Sequence, residues 1–240
     1  MKLPIDLITI NCNKVDEGKK ALEFSSQHIE FNNIYFFSDI KVKGNFTHVP
    51  INKINGVSEY NDFILGLGNY IKSPYALVIQ DDGHVLSSKK WTNDFLKYDY
   101  IGAPWPNDEK WNKRWDKYGN EISDKIKKHS IQNRIGNGGF SLRSKKFLNY
   151  CSQFKETGVL AEDIFLTLYN YDKAKDFKIS FPDIDLAVQF SYETPLKGRG
   201  LRKENKSQSY TIGSHFGWHG KKFLNSDKLL NLKNENNINL

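Results

Sequence analysis

The sequence has little cysteine, and the two residues present, Cys12 and Cys151, are far apart with no CxxC spacing. A disulfide framework and a cysteine-built zinc site are both excluded as organising principles, and a reducing compartment is expected. Long apolar runs are also missing, and no stretch approaches the ~20 apolar residues that a membrane span needs. The opening "MKLPIDLITINCNK" has one lysine before a short apolar segment with charges on both sides. It is too short for a secretory leader and reads as a first strand. No Gly-Lys-Ser/Thr ending follows any glycine cluster, which excludes a P-loop. No internal repeat is visible.

What is present is a chain of 240 residues, 38% apolar and 14% aromatic, with a formal charge of +7 and a pI near 9.1. This content is enough for a buried core of the size found in one α/β domain. The positive excess is lysine spread along the chain rather than gathered in one run, and it favours an anionic partner: nucleic acid, an acidic membrane surface or a phosphorylated small molecule. The abundant rings suit clefts that stack against sugars or bases as well as ordinary core packing.

Periodicity gives the fold class. "DLITIN" followed by "DEGKKALEFSSQHI" and then "NIYFFSD" is strand, helix, strand. In "SEYNDFILGLGNYIKS", Tyr60, Phe63, Ile64, Leu67 and Ile71 fall on one helical face before Pro74 and the strand "YALVIQ". This alternation predicts an α/β protein with a mostly parallel sheet flanked by helices, whose ligands bind beyond the carboxyl ends of the strands. From Trp105 onward about thirty polar residues carry Trp105, Trp111 and Trp115 with little clean periodicity. They are expected to be an irregular, substrate-covering segment with exposed tryptophans. "GNGGFSLRSKKFLNYC" predicts a turn, a strand and a helix, and "AEDIFLTLYNY" another helix. Residues 195–209 form a basic loop, and a weak amphipathic helix is expected near the C-terminus.

Four short stretches bear chemistry. In "ALVIQDDGHVL", Gln80, Asp81 and Asp82 end an apolar strand. Two acids there suit a hard cation held against a diphosphate, while Asp-Gly between apolar residues equally signals a hairpin turn. In "GNGGFSLR", Gly136, Gly138 and Gly139 allow positive φ or close approach of backbone to a ligand, and a tight connection between elements needs the same residues. In "AEDIF", Glu162 and Asp163 start a helix. Acids stabilise a first turn by themselves, and a carboxylate aimed into a cleft can act as a general base. In "SHFGWHG", His215 and His219 are either packed among aromatics or one of them completes a metal site.

In this order the four pieces resemble the GT-A glycosyltransferases, which move a sugar from a nucleotide diphosphate sugar. The closer likeness is to a family of glycosyltransferase-like domains of unknown function, carried by "YND" at Tyr60–Asp62, "IQDDGHVL", "YDYIGAPW" at 98–105, "GNGGFSLRS" at 136–144, "EDIF", "FSYE" at 190–193 and "FGWHG" at 216–220. The resemblance spans about residues 3–222. It implies a GT-A-like, Rossmann-type mixed sheet in a single domain over 1–222, with a donor half to about residue 100, an acceptor half from 101 and a tail over 223–240.

The resemblance also implies roles. The metal motif takes the form Q-x-D, so Asp82 is a ligand of Mn2+ or Mg2+, with His219 as the late histidine and His215 the less favoured alternative. Asp163 is the base, with Glu162 beside it. Asn11, Asp39, Tyr60, Asn61, Gln80, Asp81, Gly138 and Gly139 line the donor site, the three tryptophans face the acceptor, and the basic residues of 195–203 close over the phosphates. The implied activity is metal-assisted, inverting transfer from a nucleotide sugar, on superfamily habit a UDP-sugar, to a glycan or lipid-linked acceptor in polysaccharide or lipopolysaccharide synthesis. The implied location is the cytoplasm, at the inner membrane face where peripheral contact occurs, with no nucleic-acid partner. A metal-dependent nuclease or phosphoesterase, and a non-catalytic glycan- or nucleic-acid-binding module, are the rival classes.

Overall fold

A computed structural model describes residues 2–27, 29–194, 196 and 215–220. The basic loop, apart from Leu196, and the C-terminal tail lie outside the described residues. The chain begins with β1 (Lys2–Ile10), α1 (Val15–Ser26), β2 (Glu30–Ser38), β3 (Thr47–Pro50), α2 (Val57–Gly66), β4 (Tyr75–Ile79) and β5 (Gly83–Val85). There follow β6 (Tyr100–Gly102), α3 (Glu109–Asn112), α4 (Asn120–Ser130), β7 (Phe140–Ser144), α5 (Lys145–Cys151), α6 (Glu162–Ile164), α7 (Tyr171–Asp176), α8 (Ile184–Phe190), β8 (Ser191–Tyr192) and β9 (Gly217–His219).

Among the described residues, six strands form one sheet in the order β3-β2-β1-β4-β7-β6. The first four run parallel, and β7 is antiparallel to both its neighbours. The expected mixed α/β sheet flanked by helices is therefore what the chain forms. Side chains alternate across a strand, and the apolar runs fill both faces. Leu3, Ile5 and Leu7 of β1 with Leu77 and Ile79 of β4 join the core that includes Ala21 and Leu22 of α1. Ile8 and Ile10 with Ala76 and Val78 join the opposite core with Ile64 of α2, Leu67 and Ile71. Runs that are apolar at every position are what a sheet buried on both faces requires.

The strand directions decide where the glycine segment goes. Ile79, the last residue of β4, pairs with Phe140, the first of β7. Residues 136–139 are thus delivered to the carboxyl end of β4, where Gln80 N–H donates to the Gly139 carbonyl at 2.9 Å.

Two expectations are corrected here. Gln80 to Gly83 does turn, with Gly83 N–H donating to the Gln80 carbonyl at 3.0 Å, but β4 and β5 are not hairpin partners. β5 crosses into a second, three-stranded sheet and pairs with β9. The reason is competition: both edges of β4 are already taken by β1 and β7.

The segment after Trp105 is not an irregular cover either. It folds into α3, a 3-10 stretch over Lys113–Tyr118 and α4. Trp105 and Trp115 are only 6% and 5% exposed and pack with Ile126, Leu160 and Leu168, with Trp111 against the cluster's edge. The 3-10 stretch breaks the helical period, which hid the pattern, and large rings recover the most apolar area by burial. The Arg114 guanidinium lies 3.9 Å over the partly exposed Trp111 ring.

Candidate functional site

Several chain segments converge beyond the carboxyl ends of β1 and β4. They bound a cavity of about 490 Å³ lined by the β1–α1 turn with Asn11, Cys12 and Lys14, by Tyr60 and Asn61 of α2, by Gln80 and Asp81, by Asn137 to Gly139, by Ala161 to Asp163, and by Glu193 and His219. Glycine makes the convergence possible, though not through positive φ, which none of Gly83, Gly136, Gly138 and Gly139 adopts. Each is a close approach instead. A Cβ on Gly139 would lie 2.0 Å from His219 Nε2, one on Gly138 2.5 Å from Glu162 Oε1, one on Gly83 2.6 Å from the Gly139 carbonyl oxygen, and one on Gly136 2.3 Å from the Trp105 ring.

The two adjacent strand-end acids part company. Asp81 pairs with Lys14 Nζ at 2.5 Å at the cavity mouth, where Lys14 is about half exposed. Asp82 turns the other way and meets His219 Nε2 at 3.0 Å, a placement fixed by the pairing of Gly83 with His219 across β5 and β9. Burial pushes the Asp82 carboxyl up, but His219 outweighs it and leaves the group below the ordinary carboxylate range. Burial pulls His219 down, while Asp82 and Glu193 more than offset that and push it up to about 10. On the other ring nitrogen, Asn137 Nδ2 lies 3.1 Å and Glu193 Oε1 3.8 Å from Nδ1.

The helix-start acids also diverge. Glu162, 3% exposed, is held by the fully buried Arg143 of β7 through contacts of 2.8 and 3.2 Å. Glu162 raises the guanidinium of Arg143 although burial alone would lower it. Asp163 has no such cation. It accepts from Gly138 N–H at 3.0 Å and from its own neighbour Ile164 N–H at 2.8 Å. Burial, with the Glu162 charge second, pushes its carboxyl up to about 7. A π-helical turn over Phe165–Tyr169 follows directly, and Thr167 Oγ donates back to the Asp163 carbonyl.

Most of the expected residues are brought together, with differences in what they do. Asn11, Tyr60, Gln80, Asp81, Gly138 and Gly139 line the cavity. Asn61 lines it too, but its amide is committed: Nδ2 donates to Thr157 Oγ and the Leu160 carbonyl, and Oδ1 accepts from Glu162 N–H. Asp39 does not reach the lining and sits behind Cys12, whose thiol is raised chiefly by burial. Trp105 and Trp115 are buried away from it. Glu162 is spoken for by Arg143. His215 Nδ1 donates to the Val188 carbonyl, 2.6 Å away, and packs against Tyr192, outside the cavity lining. His84 is a core residue, pushed down to about 4 by burial and edge-on to Phe24.

Sequence reasoning missed Lys14, Asn137, Arg143 and Glu193. Arg143 and Asn137 were within a quoted motif but adjacent to more conspicuous glycines. Glu193 was in "FSYE" with no role. Its Oε2 is buried without a hydrogen-bond partner among the described residues.

The most specific motifs turn out to be one another's packing partners. Tyr100 and Gly102 of "YDYIGAPW" pair with Arg143 and Ser141. Tyr100 Oη donates to the carbonyls of Gly136 and Asn137 at 2.9 and 3.0 Å, so this strand is the support of the glycine segment.

A divalent ion can be tested against these atoms. Two neighbouring ligands of an octahedral ion with bonds of ~2.1 Å stand about 3.0 Å apart, the separation of Asp82 Oδ1 and His219 Nε2. Among the described residues no group of three or more His, Cys, Asp or Glu side chains is arranged as a complete metal site. One carboxylate and one imidazole fit an ion that draws its other ligands from water or a substrate phosphate. Among the described residues the lining has Asp81, Glu162, Asp163 and Glu193 against Lys14 and the raised imidazole of His219.

Comparison with known proteins gives a family match and distant shapes. A family model described as "Protein of unknown function (DUF5672)" matches residues 43–215. No curated protein matches the chain. Among solved structures it is similar to the mannosyltransferase PcManGT from Pyrobaculum calidifontis in complex with GDP-Man and Mn2+, at 10% identity and a TM-score of 0.46, over 77% of this chain and 56% of that one. It is also similar to the galactosyltransferase LgtC in complex with donor and acceptor sugar analogues, at 13% identity and a TM-score of 0.47, over 89% of this chain and 86% of that one. Likenesses this distant say nothing about the chemistry of this site. Among the described residues no helix is long and apolar enough to cross a membrane.

Proposed function

Because the chain belongs to the DUF5672 family, whose description assigns no activity, we propose from the site itself that the protein is a metal-assisted glycosyltransferase. It moves a sugar from a nucleotide diphosphate sugar, in keeping with the GT-A resemblance a UDP-sugar, to a glycan or lipid-linked hydroxyl. The observation that carries this reading is one cavity lined both by His219, which Asp82 meets at 3.0 Å from just outside the lining, and by a carboxylate, Asp163, raised to about 7. A leaving diphosphate needs positive charge, which a divalent ion on Asp82 and His219 supplies when bound. An acceptor hydroxyl needs a base whose acid strength is near neutral, and Asp163 fits that need.

In this reading the chain's residues divide the work. Asp82 and His219 hold the ion, Mn2+ or Mg2+, from the Q-x-D turn and β9. Asn11, Tyr60 and Gln80 contact the nucleoside and sugar. Gly138 N–H keeps Asp163 aimed, and Asp163 takes the proton from the attacking hydroxyl, which approaches opposite the departing diphosphate and inverts the anomeric centre. Glu162 and Asn61 fix the base segment rather than react. The acidic lining favours a compact diphosphate arriving with its cation over a polynucleotide gripped by lysines.

A thermal-shift panel of nucleoside diphosphates and nucleotide sugars with and without Mn2+ tests the reading. A ligand near 100 times its dissociation constant adds about 2.7 kcal/mol, or roughly 5 to 10 °C for a chain of this size. The shift is expected only with metal and not in Asp82→Asn. If no diphosphate nucleoside raises the melting temperature with any metal, the donor-site reading falls.

A further inference from the structure

A second depression lies on the far side of Ile54 from the main cavity, and nothing in the proposed transfer uses it. It is an open groove of about 740 Å³, and Ile54 lines both. One wall is the extended segment from Pro50 to Ile54 that leaves β3. The other is the α2 face carrying Glu59, Asp62 and Phe63, which the i, i+3, i+4 spacing puts side by side, continued by Tyr70. Asn55 joins the walls, its backbone N–H and amide both directed at the Glu59 carboxylate, so the width of the groove is braced.

Its aromatic floor is immobilised. Tyr70 stacks on Phe63 at 5.5 Å and 27°, and both rings meet Phe37 edge-on at 5.2 and 5.4 Å. Yet Tyr70 remains 41% exposed. An exposed apolar residue by itself is ordinary, but a ring locked by two phenylalanines has already lost the freedom that binding would otherwise take from it. Around this floor stand groups of both signs. Asp62 and Lys53 are exposed and their side chains make no hydrogen bond or ion pair within the described residues, and Asn52 stands beside them.

We propose that this groove binds a neutral saccharide chain. Polarised C–H groups on one face of a pyranose pack against the negative face of an aromatic ring. Its hydroxyls donate to the Asp62 carboxylate and accept from the Lys53 ammonium. Glu59 and Asp62 against Lys53 leave one negative charge in excess, which disfavours a polyanion, whereas a hydroxyl-rich neutral ligand satisfies carboxylate and ammonium alike. Contiguity through Ile54 sets such a chain beside the main cavity, and the binding stands on its own whether or not that cavity transfers a sugar.

The test is an NMR titration of the whole chain with neutral hexasaccharides of glucose, α-1,4- and β-1,4-linked, and of mannose, with hexagalacturonate as the anionic control. Shifts are expected at residues 50–54, 59–63 and 70 with at least one neutral probe. Tyr70→Ala should weaken that binding by about tenfold, the loss of one stacked ring, and the exposed, conservative Asp62→Asn should weaken it by a few-fold. Tyr70→Ala should leave the metal-dependent nucleotide thermal shift intact, which separates the groove from the donor site. The proposal is overturned if no neutral hexasaccharide perturbs these residues, if hexagalacturonate binds in preference, or if neither variant weakens binding.

Discussion

The strand-end acids and the helix-start acids look alike in sequence and behave oppositely in the fold. In each pair one member is paired with a lysine or arginine, Asp81 with Lys14 and Glu162 with Arg143, while the other meets an imidazole or backbone N–H groups. Asp82 faces an imidazole and is held below the usual carboxylate range, whereas Asp163 faces backbone N–H groups beside another carboxylate and is pushed up to about 7. Acid strength thus follows from the partner each fold position supplies and not from the dipeptide. One pair is suited to staying charged and holding a cation, the other to exchanging a proton near neutral pH.

The comparison breaks hardest at Arg143. Its guanidinium is fully buried and makes two contacts to Glu162, so Arg143→Met strands a buried charge and is expected to cost about 3–5 kcal/mol. Chemical denaturation measures it. The double variant Arg143→Met/Glu162→Gln should lose less than the two single losses combined, because the stranded charge is gone. Additive losses would mean that the pair does not act as a unit. Lys14, about half exposed, offers no comparable vulnerability.

The second break is in pH. A base must be ionised, so transfer is expected to rise with a slope of one proton and level off above about pH 7, the value to which burial brings Asp163. Stability carries the opposite sign. A carboxyl raised on folding is protonated in the native chain and ionised in the unfolded chain between about pH 4 and 7, so that ionisation lowers stability as pH rises through that window. Asp163→Asn should therefore be more stable than wild type above pH 7 and no different below pH 4, while losing transfer and keeping the nucleotide thermal shift. Asp82 remains ionised across the same range, and its variant should show no such crossover.

Sequence periodicity sufficed for the sheet because β4 is apolar throughout and β1 and β2 carry consecutive apolar residues on both faces, a pattern that double-sided burial explains. The grouping of Asp82, Asp163 and His219 rested on the family resemblance and not on periodicity, and it is the antiparallel β7 and the β5–β9 pairing that bring those distant motifs to one strand end. Periodicity failed where a residue's role depends on an unseen neighbour. Nothing local distinguishes Glu162 from Asp163 until Arg143 arrives from β7. Nothing in "FSYE" marks Glu193 as a cavity residue. The tryptophans read as exposed because a 3-10 stretch interrupts the period that would have put Trp115 and Ile126 on one buried face. The glycines signalled constraint correctly, but the constraint was the bulk of His219, Glu162 and Trp105 rather than backbone handedness.

The smallest expected effect is the sharpest check on the division between Asp81 and Asp82. The Lys14–Asp81 contact is solvent-accessible, and such pairs contribute about 0.2–1 kcal/mol, less as salt screens them. Asp81→Asn should lower the melting temperature by no more than about 2 to 4 °C, with the difference disappearing in 1 M salt, where the screening length is about 3 Å. The metal-dependent nucleotide shift should persist, since the ion is assigned to Asp82 and His219 on the other side of the turn. Should Asp81→Asn abolish that shift as completely as Asp82→Asn, the two strand-end acids would be equal partners. The asymmetry would then rest on the Lys14 contact alone, with Lys14 standing where the cation belongs.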